Sequence, residues 1–116
     1  MASSGPSALK DPRKFVIGWF TCKPGMRDAF LVLVERYIAE CMAEEGCEFF
    51  ELNPSIQDPE MVTLAECFSS EEAHRDHLQT EVFRNFWRDL QPFCIGGRFL
   101  HIFPDRVEED QPVFDT

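Results

Sequence analysis

Apolar and polar positions along the chain fall into two periods. From Phe15 to Cys22 every residue except Gly18 and Thr21 is apolar, with Phe15, Ile17 and Trp19 on one parity and Val16, Phe20 and Cys22 on the other. A strand of that kind needs cover on both faces. Lys23-Pro24-Gly25 then turns the chain, and from about Met26 to Glu45 the pattern becomes helical. Met26, Phe30, Leu33, Val34, Tyr37, Ile38, Cys41 and Met42 share a face, while Arg27, Asp28, Glu35 and Glu44 point to water. Gly46 is placed to end this helix as its left-handed C′ residue. Cys47–Asn53 reads as a second strand. The two-proline connection Asn53–Glu60 returns the chain antiparallel into a third, Met61–Phe68.

Ser69 and Glu72 have the spacing of a capping box, which predicts a helix start directly after the third strand. Ala73, His74, His77 and Leu78 form its inward stripe, and Thr80 re-caps a second segment carrying Phe83, Phe86, Trp87 and Leu90. Pro92 closes it, Gly96-Gly97 reads as a loop, and Arg98–Phe103 is the last strand. Strand, helix, strand, strand, helices, strand is the split βαβ order of an α+β, ferredoxin-like protomer, an antiparallel sheet with its helices on one face. Since the strands are apolar on both faces, the uncovered face calls for a second copy of the same sheet, with Trp19 at the interface. The expected layout is an N-terminal arm over 1–13, the domain over 14–104 and an acidic tail over 105–116.

Composition narrows the classes. The chain has 116 residues, 44% of them hydrophobic, and twelve Phe; that suits one packed domain. A formal charge of −10 argues against nucleic acid or an anionic membrane as partner. No apolar run approaches the ~18 residues of a membrane span, and Met1–Ser7 has no secretory apolar region. The five cysteines, at 22, 41, 47, 67 and 94, are widely spaced without C-x-x-C. They read as reduced core residues of a cytoplasmic protein rather than as a disulfide framework or zinc site.

Candidate chemistry gathers between Met61 and Leu90. Glu66 lies in an apolar strand at the parity of Leu64 and Phe68, so its carboxyl group is neutral, hydrogen-bonded or paired. It either satisfies a neighbour or orients a ligand or the His77 ring. His77, on the inward stripe beside Phe68, Phe83 and Trp87, is suited to proton transfer near neutral pH. Tyr37 could reach a ligand with its hydroxyl, yet its spacing is more often that of a core aromatic; His74 reads as partly exposed and His101 as sheet packing. Gly18 marks a bulge or a place left open for a ligand. No phosphate loop, G-x-S-x-G or clear metal spacing occurs, His74-x-x-His77 being too little on its own. The expectation is therefore neither metal nor cofactor.

These stretches together resemble one family. Lys23-Pro24-Gly25, the long helix ending Glu44-Glu45-Gly46-Cys47, Asp58-Pro59, Glu66-Cys67-Phe68-Ser69-Ser70-Glu71-Glu72-Ala73 and His77-Leu78-Gln79-Thr80 are similar, in order and spacing, to the antibiotic biosynthesis monooxygenase (ABM) domain from about Phe15 to Pro104. The resemblance implies a homodimeric α+β barrel with a pocket between each sheet and its helices. It also implies oxygenation of a phenolic or quinol-type aromatic without metal or flavin. On that reading His77 and Glu66 are catalytic, and Gly18, Phe68, Phe83 and Trp87 line the substrate pocket. Where many members carry a second histidine this chain has Val82. At the positions used by the haem-degrading branch it has Gly18, Phe68 and Trp87, so haem is not implied. The alternatives are a non-catalytic ligand-binding or stress-response dimer, and a small-molecule isomerase using the same pocket.

Overall fold

The elements run β1 (Lys14–Cys22), α1 (Arg27–Cys41), β2 (Cys47–Pro54), β3 (Met61–Phe68), α2 (Glu71–Leu78), α3 (Glu81–Leu90), β4 (Cys94–Ile102) and β5 (Val107–Asp110). The computed structural model describes residues 11–114; most of the expected N-terminal arm and the last two residues of the tail lie outside the described residues. The strands form one antiparallel sheet ordered β2-β3-β1-β4-β5. This is the α+β, ferredoxin-like arrangement that the apolar pattern predicts, extended by one edge strand.

Register determines which side chains meet. Gly18 pairs with Leu64 and Phe99, Val16 with Glu66 and His101, and Lys14 with Phe68. Because side chains alternate across a sheet, these residues share the face on which the helices pack. Along β1 the alternation is strict: Lys14, Val16, Gly18, Phe20 and Cys22 are buried and the residues between them half-buried. Phe20, Phe30, Val34, Leu64 and Leu90 are essentially fully buried in the core between sheet and helices, at about 1.5–3 kcal/mol apiece. The opposite face, with Phe15, Ile17, Trp19, Leu100 and Ile102 half-buried, has no helix over it.

Four local features differ from the sequence reading. α1 ends at Cys41, and Met42–Gly46 is a turn. Gly46 is not its left-handed terminator; among the described residues the positive-φ glycine is Gly25. Gly46 instead allows α2 to approach, since a Cβ there would stand 2.6 Å from Ala73 Cβ. The N-cap of α2 is Ser70 rather than Ser69, its Oγ accepting the Ala73 N–H at 3.0 Å, while Thr80 caps α3 as expected, accepting from Phe83 N–H at 3.1 Å. Gly96 and Gly97 lie within β4, opposite Thr21 and Phe20. The acidic tail is not simply an arm: Val107–Asp110 pairs with β4, and Phe114 seats its ring 5.3 Å from that of Trp87.

Candidate active site

Between the helix-covered face of the sheet and α1, α2 and α3 lies a cavity of about 270 Å³. Its walls are mostly aromatic (Phe20, Phe83, Phe86, Trp87, Phe99), and its polar groups are Tyr37, Glu66, His74, His77, His101 and Asp110. Each comes from an element with a physical reason to face inward. Tyr37 continues the buried stripe Phe30–Val34–Tyr37–Cys41 of α1, and its ring is locked against Phe86 at 3.8 Å and 5°. His74 and His77 are the buried residues of α2, with Phe68 packed behind both rings at 4.8 and 5.0 Å.

Three of these side chains make a continuous chain of hydrogen bonds. His77 Nδ1–H donates to Glu44 Oε1 at 2.9 Å, and Tyr37 O–H donates to His77 Nε2 at 2.7 Å. A carboxylate only accepts, so Glu44 assigns the proton to Nδ1 and leaves Nε2 as the acceptor. His77 is 2% exposed. Burial raises the Tyr37 phenol well above its ordinary value, which keeps the hydroxyl protonated at the cavity wall. The arrangement is a carboxylate–imidazole–phenol relay. The sequence reading places Glu44 in water and favours the core for Tyr37 over a hydroxyl that reaches a ligand, so it does not foresee their joining His77. The signal available for both was their position on the α1 face and at its C-terminal turn, which apolar periodicity does not weigh.

Glu66 faces the same cavity but is not the partner of His77. It lies between Val16 and Phe50 in the sheet and makes no hydrogen bond among the described residues. Burial pushes its carboxyl up to about 8, the Lys14 ammonium pulling against this and Glu44 adding to it. At neutral pH it is therefore mainly an O–H donor. Lys14 Nζ donates to His74 Nδ1 at 2.8 Å. His74, read from sequence as partly exposed, is 3% exposed, and burial, with Lys14, His77 and His101 adding to it, holds its imidazole down to about 3. It is a neutral ring with Nε2 protonated.

Of the six residues singled out by sequence, Glu66, His77, Phe83 and Trp87 meet around this cavity. Phe68 is one layer behind it. Gly18 lies on the correct face but is not at the cavity: its space is occupied by the Phe99 ring, 2.8 Å from where a Cβ would stand. The bulge reading fails as well, since β1 pairs through Gly18 without a register shift. Cys41, Glu44 and His77 bring donor atoms within 4.8 Å of one another. Their state is that of hydrogen-bonded groups, with the Cys41 thiol fully buried and raised by burial.

Residues 15–89 match the antibiotic biosynthesis monooxygenase family. The chain belongs to that family. Among curated proteins none matches the ABM chain in sequence. Its fold recurs in solved structures. A Caulobacter crescentus CB15 protein described as a candidate antibiotic biosynthesis monooxygenase superposes with a TM-score of 0.76 at 20% identity, covering 90% of this chain and 100% of that one. Protein SO0527 of Shewanella oneidensis gives 0.71 at 22% identity, with 90% and 95% covered. A Nitrosomonas europaea protein with the same description as the first gives 0.71 at 13%, with 90% and 91% covered. At these identities the likeness is one of fold, and the family assignment rests on the match over residues 15–89. No helix of the described residues is long and apolar enough to cross a membrane.

Proposed function

We propose that this ABM protein oxygenates a phenolic or quinol-type aromatic molecule held in the cavity, using its own side chains for the proton transfers. The observation that carries the reading is the Glu44–His77–Tyr37 relay ending on an aromatic cavity. Withdrawal of the phenolic proton leaves an electron-rich anion, the form of the ring that reacts with dioxygen. A ring carbon bearing hydrogen gains a C–O bond and becomes a hydroperoxide, which loses water to leave a carbonyl. One oxygen atom enters the product and the other leaves in water. Tyr37 is the relay group at the wall, His77 moves the proton behind it and Glu44 stabilises the imidazolium. Neutral Glu66 donates to a developing oxyanion, and Phe83 and Trp87 clamp the ring.

The protein so proposed is a cytoplasmic homodimer joined through the uncovered sheet face, a reading supported by the half-buried Phe15, Ile17, Trp19, Leu100 and Ile102 and by five free thiols. The other reading, a ligand-binding dimer without turnover, is favoured by one observation: both nitrogens of His77 are already engaged. Oxygen uptake with a panel of quinols and phenols separates the two. Turnover that falls ~10²-fold or more in His77→Ala and in Tyr37→Phe, with folding intact, supports the oxygenase. Saturable binding with no oxygen uptake across the panel favours the binding protein.

A further inference from the structure

Among the described residues, the polar side chains of the cavity are bonded within the protein, with Glu66 excepted. His77 is held by Tyr37 and Glu44, His74 by Lys14, and His101 Nε2 donates to Asp110 Oδ2 at 3.0 Å. Glu66 lines the same cavity, is 7% exposed and has no such partner. Its oxygens differ from the other unbonded atom of the site. His101 Nδ1 is sealed from solvent and offers nothing to a ligand, whereas both carboxyl oxygens of Glu66 keep accessible surface. Polar atoms in a nearly buried wall are seldom left unpaired. The chemistry of the missing partner follows from the state of the group. Lys14 Nζ is spent on His74 Nδ1 at 2.8 Å and stands over the Phe103 ring, so no cation pairs with Glu66 among the described residues. A carboxyl buried without a counter-ion is neutral. It then presents one O–H donor and one C=O acceptor on a single edge.

We propose that Glu66 selects a vicinal dihydroxy aromatic, its O–H donating to one ring oxygen while its C=O accepts from the hydroxyl on the adjacent carbon. This rests on the reading of the cavity as a site for phenolic substrates, and it narrows their class. A lone hydroxyl meets one of the two carboxyl oxygens at good geometry and leaves the other unpaired. Two hydroxyls on distant carbons do no better, since one edge of the carboxyl cannot span the ring. Adjacent oxygens, one accepting and one donating, satisfy both. The accepting oxygen is the one whose proton passes to Tyr37, so this contact strengthens as that oxygen becomes anionic. The second contact fixes which edge of the ring faces the relay. Glu66 is thereby a specificity determinant as well as a donor.

Calorimetry under nitrogen tests this apart from any turnover. The full chain is titrated with 2,3-dihydroxynaphthalene, 2,7-dihydroxynaphthalene and 2-naphthol. The two diols have the same atoms and differ in the spacing of their hydroxyls. The 2,3-diol should bind at least about tenfold more tightly than either of the others. Glu66→Gln, whose amide carries an N–H donor and a C=O acceptor on one edge, should keep that preference, and Glu66→Leu should bind the two diols alike. In protein labelled with ¹³C-glutamate, the Glu66 Cδ signal, identified by its loss in Glu66→Gln, should read a protonated carboxyl at neutral pH with and without the 2,3-diol. Equal affinities for the two diols in the unsubstituted protein would overturn the proposal. So would an ionised Glu66 or the absence of binding at millimolar concentration. Loss of the preference in Glu66→Gln would do the same, since it would mean a carboxylate accepting from both hydroxyls. If the variants do not fold, the isomer comparison in the unsubstituted protein decides it. Equal affinities accompanied by oxygen uptake sink the pairing and leave the oxygenase, whereas a 2,3-diol preference without uptake does the reverse.

Discussion

A single carboxyl group makes the stability of this protein depend on pH in a direction opposite to most acidic residues. Glu66, raised to about 8 in the fold, is ionised in the unfolded chain from about pH 4.5 upward. Its neutral form favours the folded state at low pH, and that contribution is lost as pH rises through 8. His74 acts the other way. Held at about 3, it stabilises fully above the unfolded value of roughly 6.5 and loses its contribution as pH falls toward 3. Glu66→Gln should therefore gain on the unsubstituted protein by on the order of 2–4 kcal/mol between pH 4 and pH 9 in urea unfolding. Parallel curves for the two proteins would refute a neutral Glu66. Gly18 offers a second test at this scale. In Gly18→Ala the new methyl must displace Phe99, whose ring lies 2.8 Å away, so the ring moves into the cavity. We expect roughly 1–2 kcal/mol of lost stability and a larger fractional loss of ligand affinity, measured by calorimetry; unchanged affinity would show that Phe99 yields elsewhere.

Among the elements, β5 and the segment after it have the largest unforeseen role. Asp110 and Pro112 belong to the cavity wall and Phe114 covers Trp87. A chain ended after Arg106 should keep its helical circular dichroism, yet in a Trp19→Phe background its Trp87 emission should shift to the red and naphthol binding should weaken. An unshifted spectrum would return the tail to the status of an arm. The sequence conceals this because Val107-Glu108-Glu109-Asp110 has no apolar alternation: its pairing comes from backbone bonds to β4 at a sheet edge, where side chains need little burial. Gly96-Gly97 misleads in the same way. It looks like a loop, but Gly97 is a strand residue at which a Cβ would stand 3.1 Å from both the Phe114 ring and the Trp19 carbonyl. β1, β3 and α3, by contrast, are legible from period and caps alone, because their faces differ in burial. At the site, the strand parity of Glu66 and the helix stripe of His77 suffice to bring both to one cavity. Their partners do not follow, since Glu44 reaches His77 across 33 residues of sequence, and no local pattern records such a contact.

For the whole molecule, assembly turns on the sheet face away from the helices. With Trp19 beneath the Arg98 guanidinium at 4.4 Å and Ile17 and Leu100 beside it in register, this face has the aromatic and aliphatic character of an interface core. Sedimentation should show a dimer at micromolar concentration burying on the order of 800 Å² per partner, and Ile17→Glu should yield a monomer that keeps its secondary structure. A monodisperse monomer of the unsubstituted chain would refute the dimer. The far edge of the sheet tells against any larger stack. A lateral neighbour joining at β5 would set Glu108, Glu109 and Asp110 within about 5 Å of its own carboxylates, on a chain already at −10. Electrostatic repulsion thus keeps an unpaired strand from templating fibrils. The same edge should turn adhesive when acid or concentrated salt silences those charges, so that turbidity in storage begins as the pH falls toward about 4.6, where the net charge of the chain vanishes.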